Sequence, residues 1–173
     1  ILLNFLKKSE NIHLLDKFLK KEKIISNLKD DFNFNEKNIF LYEQNSQAIQ
    51  TTKEIEVSKK KCRWFHIDGY HSKLSLINDL KIAEDFCFPE NSIIVIDDIW
   101  NIQYPHLTEA LFLYQNDPFR RFSLCLIAAQ KAYLTDRHSS SKLKAYILNE
   151  FVSDLEKNGF LATLYQTENN DET

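Results

Sequence analysis

The chain has 173 residues, 43% of them apolar and 13% aromatic, which is enough for one domain with a real core and too apolar for a wholly disordered chain. Its 22 basic residues are interspersed with 25 acidic ones, the formal net charge is −3, and the pI is near 6.0. That balance excludes a global attraction to nucleic acid or to an anionic membrane surface.

Taken in chain order, apolar periodicity alternates between two kinds of segment. Leu2, Leu3, Phe5 and Leu6 read as the end of a helix, and "NIHLLD" after them as a short strand closing on Asp16. Ile24, Ile25, Leu28 and Phe32 recur at helical spacing, and "NIFLYEQ" reads as the next strand. A helix is predicted from Ser46, a good N-cap, through Ala48, Ile49 and Ile55. "RWFHID" is a strand, followed by a helix whose Leu76, Ile77, Leu80, Ala83 and Cys87 share a face. "SIIVIDD" is the most apolar strand and suits a central, parallel position covered on both sides. Pro105 opens a helix carrying Leu107, Ala110, Leu111 and Tyr114, and "FSLCLIAAQKAYL" has room for two strands joined tightly around Gln130. The last helix is predicted to start at residues 139–141, to bury Leu143, Tyr146, Ile147, Phe151 and Leu155, and to stop at Gly159. Such alternation implies an α/β fold over residues 1–173: one doubly wound, mostly parallel sheet with helices on both faces and a frayed tail.

Cys62, Cys87 and Cys125 are isolated thiols with no C-x-x-C spacing. Neither a disulfide framework nor a zinc knuckle is expected, and a reducing cytoplasm fits best. No apolar run approaches the ~20 residues of a membrane span, and no secretory leader opens the sequence. The Lys runs at 7–8, 20–21 and 59–61 read as solvated faces. The sequence opens in mid-pattern at Ile1 and contains no methionine, so it is not expected to be a complete translation product.

In an open parallel sheet, ligands bind outside the carboxyl ends of the strands. Four strands end in acids or amides: Asp16, then Glu43, Gln44 and Asn45, then Asp68, then Asp97 and Asp98. Asp68, Asp97 and Asp98 form the strongest set, because three carboxylates at neighbouring strand ends repel unless a cation, an Arg or a shared proton lies between them. A hard divalent ion takes oxygen ligands of this kind, and the competing reading is that these acids cap the following helices. His71 lies on the same loop as Asp68, where a histidine can serve as a general base near neutral pH. His66 and His13 read as packed and hydrogen-bonded within strands, and His106 and His138 have no partner that spacing identifies.

On "HIDGYHSKLSLINDL" and "IIVIDDIWN" the sequence resembles class I S-adenosylmethionine-dependent methyltransferases, over roughly residues 1–135. It is most similar to the bacterial branch carrying IDG-x-H and VIDD-x-W, and is also similar to macrocin-O-methyltransferase-like and cephalosporin-hydroxylase-like proteins. The resemblance implies that Asp16 holds the cofactor ribose, that Gln44, Asn45 and Ser46 lie beside the adenine, and that Asp68 borders the cofactor. It further implies Asp68, Asp97 and Asp98 as ligands of Mg²⁺, Gly69 as a point of close backbone approach to cofactor or substrate, and His71 facing the substrate. The family's first strand and its Gly-rich cofactor loop have no counterpart here, and Ile1 aligns just after them.

The expected function is O-methyl transfer to a small-molecule or sugar hydroxyl, with divalent-metal assistance. The alternatives are a non-catalytic interaction module of the same fold and, more weakly, a nicotinamide-dependent oxidoreductase. A sugar, a glycolipid precursor or a small phenolic would each suit as acceptor, a homodimer is compatible, and neither nucleic acid nor membrane is an expected partner. Acceptor choice should lie in "NIQYPH" and around Arg120 and Arg121.

Overall fold

A computed structural model describes residues 10–31, 36–49, 55 and 61–165. The elements are β1 (Ile12–Asp16), α1 (Lys21–Asp31), β2 (Ile39–Glu43), β3 (Trp64–Ile67), α2 (Lys73–Phe86), β4 (Ile93–Ile96) and α3 (Pro105–Asn116). They continue with β5 (Phe122–Ala128), β6 (Lys131–Asp136), α4 (Arg137–Tyr146), a π-helical turn over Ile147–Phe151, and α5 (Val152–Lys157). No helix among them is long and apolar enough to cross a membrane.

The described strands form two sheets, a parallel β1–β2 pair and a four-stranded sheet ordered β3-β4-β6-β5. "RWFHI" and "SIIVI" pair in parallel, so Ile67 and Ile96 are neighbours and the acids after them leave the sheet side by side. β6 runs antiparallel to both β4 and β5. The β5–β6 hairpin turns on Ala129 and Gln130, both at positive φ (49° and 63°), as a two-residue turn that follows strand twist requires.

Contacts at opposite ends set the direction of the β1–β2 pair relative to the larger sheet. At the amino ends, Arg63 before β3 makes a two-pronged ion pair with Glu10 before β1, at 2.5 and 2.8 Å. At the carboxyl ends, Asn78 of α2 donates to the Ser46 carbonyl after β2 at 3.4 Å, and Gln47 donates to Ser75. The carboxyl ends of β1, β2, β3 and β4 therefore open toward one side of the molecule.

The core lies between the β3-β4-β6-β5 sheet and helices α2 and α3. Leu76, Leu80 and Ala83 of α2 meet Leu107, Ala110 and Leu111 of α3 over Ile94, Ile96, Leu134 and Phe122. Burying such side chains contributes about 1.5–3 kcal/mol each, which makes this layer the main source of stability. Ser123 faces the other way and meets Ser140 of α4, so helices cover both faces.

Several expectations change. The turn after β2 is a single 3-10 turn, Ser46–Ala48, capped by Asn45 rather than Ser46: Asn45 Oδ1 accepts from Gln47 N at 3.0 Å. Ile55 is buried, whereas residues 50–54, Phe32, the stretch around Leu2, Leu3, Phe5 and Leu6, and the tail from 166 lie outside the described residues. α4 starts at Arg137, because Asp136 caps it by accepting from Ser139 N at 2.8 Å. Of its predicted apolar face only Ile147 is buried and Tyr146 is exposed, since the π turn shifts the helical phase there. Gly159 does end the last helix, at φ 83°, with Phe160 N bonded to the Leu155 carbonyl. Cys62 and Cys87 are not isolated: they are partners in a parallel bridge.

Candidate functional site

The two acids ending β4 part company. Asp97 N–H still follows strand pairing, donating to the Ile67 carbonyl at 2.9 Å. Asp98 then takes φ 55°, a left-handed conformation that costs a non-glycine residue roughly 1–2 kcal/mol, and its N–H donates to Asp97 Oδ1 at 2.9 Å. That turn sends the two side chains to opposite neighbours. Asp97 pairs with Lys131 at the start of β6, with His66 Nε2 at 3.7 Å. Asp98 Oδ2 reaches back over β3 to His71 Nε2 at 3.0 Å.

Burial would raise the Asp97 carboxyl, but the Lys131 hydrogen bond, the Asp98 N–H and the charges of Lys131 and His66 hold it below the usual carboxylate range. Asp97 is thus a charge already answered by the protein. Asp68, His71 and Asp98 each bring one donor atom within 4.8 Å of the others, with Asp68 exposed and the other two half-buried. Two carboxylates and an imidazole at that separation fit a divalent cation.

His71 is held from three sides. Its ring stacks on Tyr104 with centroids 4.2 Å apart and planes 10° from parallel. A carboxylate only accepts, so the proton between Nε2 and Asp98 belongs to Nε2 and leaves Nδ1 as the basic nitrogen. Its own carbonyl accepts from His106 Nε2 at 2.8 Å, which supplies the partner that spacing had not identified for His106. Asn101 Nδ2 donates to Asp98 Oδ1 at 3.2 Å, so "NIQYPH" contributes Asn101, Tyr104 and His106 to this site.

The loop after β3 is shaped by a residue that the sequence reading passed over. Asp79 of α2 is 6% exposed; burial raises its carboxyl, opposed by hydrogen bonds from Ser46 and Asn78. A Cβ on Gly69 would sit 3.0 Å from Asp79 Oδ2, so the close approach Gly69 permits is to this carboxylate, inside the protein. Asp79 Oδ1 is buried and has no hydrogen-bond partner among the described residues. Asp68, Gly69, His71, Asp79 and Asp97 help wall a cavity of about 10 Å³, room for roughly one water. The signal was present: Leu76, Asp79, Leu80 and Ala83 share one helical face, and an acid inside such a stripe is buried with it.

At the β1–β2 ends, Asp16 Oδ1 accepts from Phe18 N at 2.6 Å, and Gln44 N donates to the Asp16 carbonyl at 3.1 Å. Asp16, Gln44, Asn45 and Ser46 thus share the side on which Asp68 and Asp98 lie. His13 stacks on Phe40 and reaches the Tyr42 hydroxyl at 3.2 Å, whereas His66 is exposed, because β3 is the edge of its sheet among the described residues. His138 is exposed on α4. Arg120 and Arg121 do not border the site. Both are bound to Glu84 where β5 begins, at the sheet end opposite His71: the Arg120 guanidinium pairs with the partly buried carboxylate, the Arg121 N–H donates to it, and the Arg121 guanidinium donates to the Glu84 carbonyl.

No family model matches the chain, and no curated protein matches it. Among solved structures, a protein of Corynebacterium glutamicum is similar at a TM-score of 0.57 and 9% identity, over 78% of this chain and 64% of that one. The apo structure of CalS11, a TDP-rhamnose 3′-O-methyltransferase of calicheamicin biosynthesis, is similar at 0.50 and 16% identity, over 72% of this chain and 57% of that one. The chain therefore spans less than two thirds of either, and at these identities the likeness establishes the fold alone: a Rossmann-like α/β arrangement.

Proposed function

We propose that this protein is an S-adenosylmethionine-dependent O-methyltransferase acting on a hydroxyl of a small molecule or sugar. The observation that carries the reading is the His71–Asp98 pair at 3.0 Å, set at adjacent strand ends of a fold shared with a sugar O-methyltransferase. His71 Nδ1 takes the acceptor proton, and S-adenosylmethionine, when bound, would supply the methyl group. Asp98 holds Nε2–H and stabilises the imidazolium that forms, and Tyr104 keeps the ring in plane.

Asp16 offers a carboxylate to the ribose diol, and Gln44, Asn45 and Ser46 offer amide and hydroxyl groups to the purine edge. Asp68 lies between that half and the acceptor. Mg²⁺, if bound, would be held by Asp68 and Asp98, and would supply Lewis-acid polarisation of the acceptor hydroxyl. Asp97 is assigned to Lys131 and not to the ion. A second reading, the non-catalytic module, is favoured by the small size of the pocket beside His71, about 10 Å³.

Calorimetry of the intact protein with S-adenosylmethionine separates these readings: binding is expected, and its absence leaves the interaction module. Methyl transfer should fall on chelation by EDTA and return with Mg²⁺, and Asp68→Asn should weaken that dependence more than cofactor affinity. Activity indifferent to EDTA would leave Asp68 as polar lining and the chemistry to His71 and Asp98.

A further inference from the structure

We infer that Cys62 and Cys87 form a redox-active dithiol, a modification site that exchanges with small disulfides. Cys62 N–H donates to the Phe86 carbonyl at 2.9 Å and Phe88 N–H donates to the Cys62 carbonyl at 2.8 Å, which clamps the two residues as facing partners of a parallel bridge. Neighbouring strands lie about 4.7–4.9 Å apart, within the roughly 4.4–6.8 Å between Cα atoms that a disulfide spans. The backbone spacing therefore brings the two thiols within reach of a bond that side-chain rotation can close.

The two thiols also differ in the way the reaction requires. Cys62 is half-exposed and Cys87 is fully buried. The neighbouring Cys87 thiol is the largest influence holding Cys62 below the usual thiol range despite burial, with the Trp64 backbone and Arg63 adding smaller effects, and the Cys62 thiol donates to the Trp64 carbonyl at 2.8 Å. Cys87 is raised by the neighbouring Cys62 thiol, by burial and by the Cys62 charge. Cys125 has no thiol neighbour and burial pushes it up to about 11, so it stays protonated.

The Cys62 thiolate attacks one sulfur of a low-molecular-weight disulfide such as glutathione disulfide, forming a mixed disulfide and releasing one thiolate. Cys62 then carries no charge, which removes two of the causes that raise Cys87. Cys87 loses its proton and attacks Cys62 Sγ, closing Cys62–Cys87 and expelling the second thiolate, which takes up that proton. Two protein thiols are oxidised and one small disulfide is reduced to two thiols. The bond would pin the end of α2 to the start of β3, at the opposite end of the sheet from His71.

The test is to expose the folded protein to glutathione disulfide, quench with acid, and map peptides without reduction. The expected product has lost the mass of two hydrogen atoms, joins the Cys62 and Cys87 peptides, leaves Cys125 free, melts at higher temperature and reverts with dithiothreitol. Cys87→Ala should stop at one glutathione on Cys62, and Cys62→Ser should take up none. In limited alkylation Cys62 should react at least about tenfold faster than Cys125, a difference lost on denaturation. A wild-type protein that stops at the glutathione adduct, pairs Cys62 with Cys125, or alkylates both at one rate would overturn the inference. Circular dichroism guards each variant, and if Cys87→Ala does not fold, the wild-type map alone decides.

Discussion

The carboxyl ends of β1–β2 and of β3–β4 carry the same kinds of residue and use them differently. Asp16 and Asn45 spend a carboxylate or amide oxygen on the N–H two residues ahead, the local pattern that shapes turns. Asp98 and His71 meet across 27 residues of sequence, and Asp98 holds a left-handed φ to do so. Local bonds of the first kind are explained by chain geometry alone. A strained long-range pair with an exposed acid beside it is not, and strain of this kind gathers at functional sites.

The largest effect should come from the long-range pair. His71→Ala is expected to lower methyl transfer ~10²–10⁴-fold with little change in cofactor affinity, and an unchanged rate would move the proton-accepting role elsewhere. Next, Asp16→Ala should weaken cofactor binding by calorimetry about tenfold to a hundredfold, the worth of a charged hydrogen bond. Equal affinity would reduce Asp16 to the turn-shaping acid its Phe18 contact already makes it.

Smaller effects test the backbone and the buried acid. Asp98→Gly and Asp98→Ala should be equally inactive, yet the Gly variant should resist urea by about 1 kcal/mol more, because only Gly takes φ 55° without cost. Equal midpoints would mean that the turn relaxes once the carboxylate is gone. The smallest effect concerns Asp79. Its folded carboxyl is raised, so wild-type stability is full below the ordinary carboxylate range and declines as pH climbs through the folded value. Asp79→Asn should therefore gain stability relative to wild type at neutral pH and lose that gain on acidification, as read from urea midpoints at several pH values. A difference that does not vary with pH would show that Asp79 ionises as readily folded as unfolded.

Much of the fold was legible because it rests on local rules. The continuous Ile and Val run of "SIIVI" demanded a strand covered on both faces, Pro105 suited a first helical turn, and Gly159 suited a left-handed stop. The acids after β3 and β4 were legible for the same reason, since strand ends are where parallel sheets expose polar groups. Less legible were partners chosen by packing. Arg120 and Arg121 were expected to help choose the acceptor, but Glu84 of α2 takes the Arg120 guanidinium and the Arg121 N–H on its carboxylate and the Arg121 guanidinium on its carbonyl. Where the predicted helix after Ser46 is described, it is a 3-10 turn over Ser46–Ala48 capped by Asn45, with Ile49 extended.

The sequence by itself determined the alternation of strands and helices, the apolar faces of α2 and α3, and the placing of Asp68, His71 and Asp98 on loops at strand ends. Periodicity and turn chemistry act within a few residues and can be read along the chain. Only the tertiary structure decided that Asp97 answers Lys131 while Asp98 answers His71, that Gly69 is the residue that closes on Asp79, and that Cys62 faces Cys87. Each of those depends on which strand or helix lies alongside, and on a left-handed turn at Asp98 that local preference opposes and contacts between distant segments hold in place.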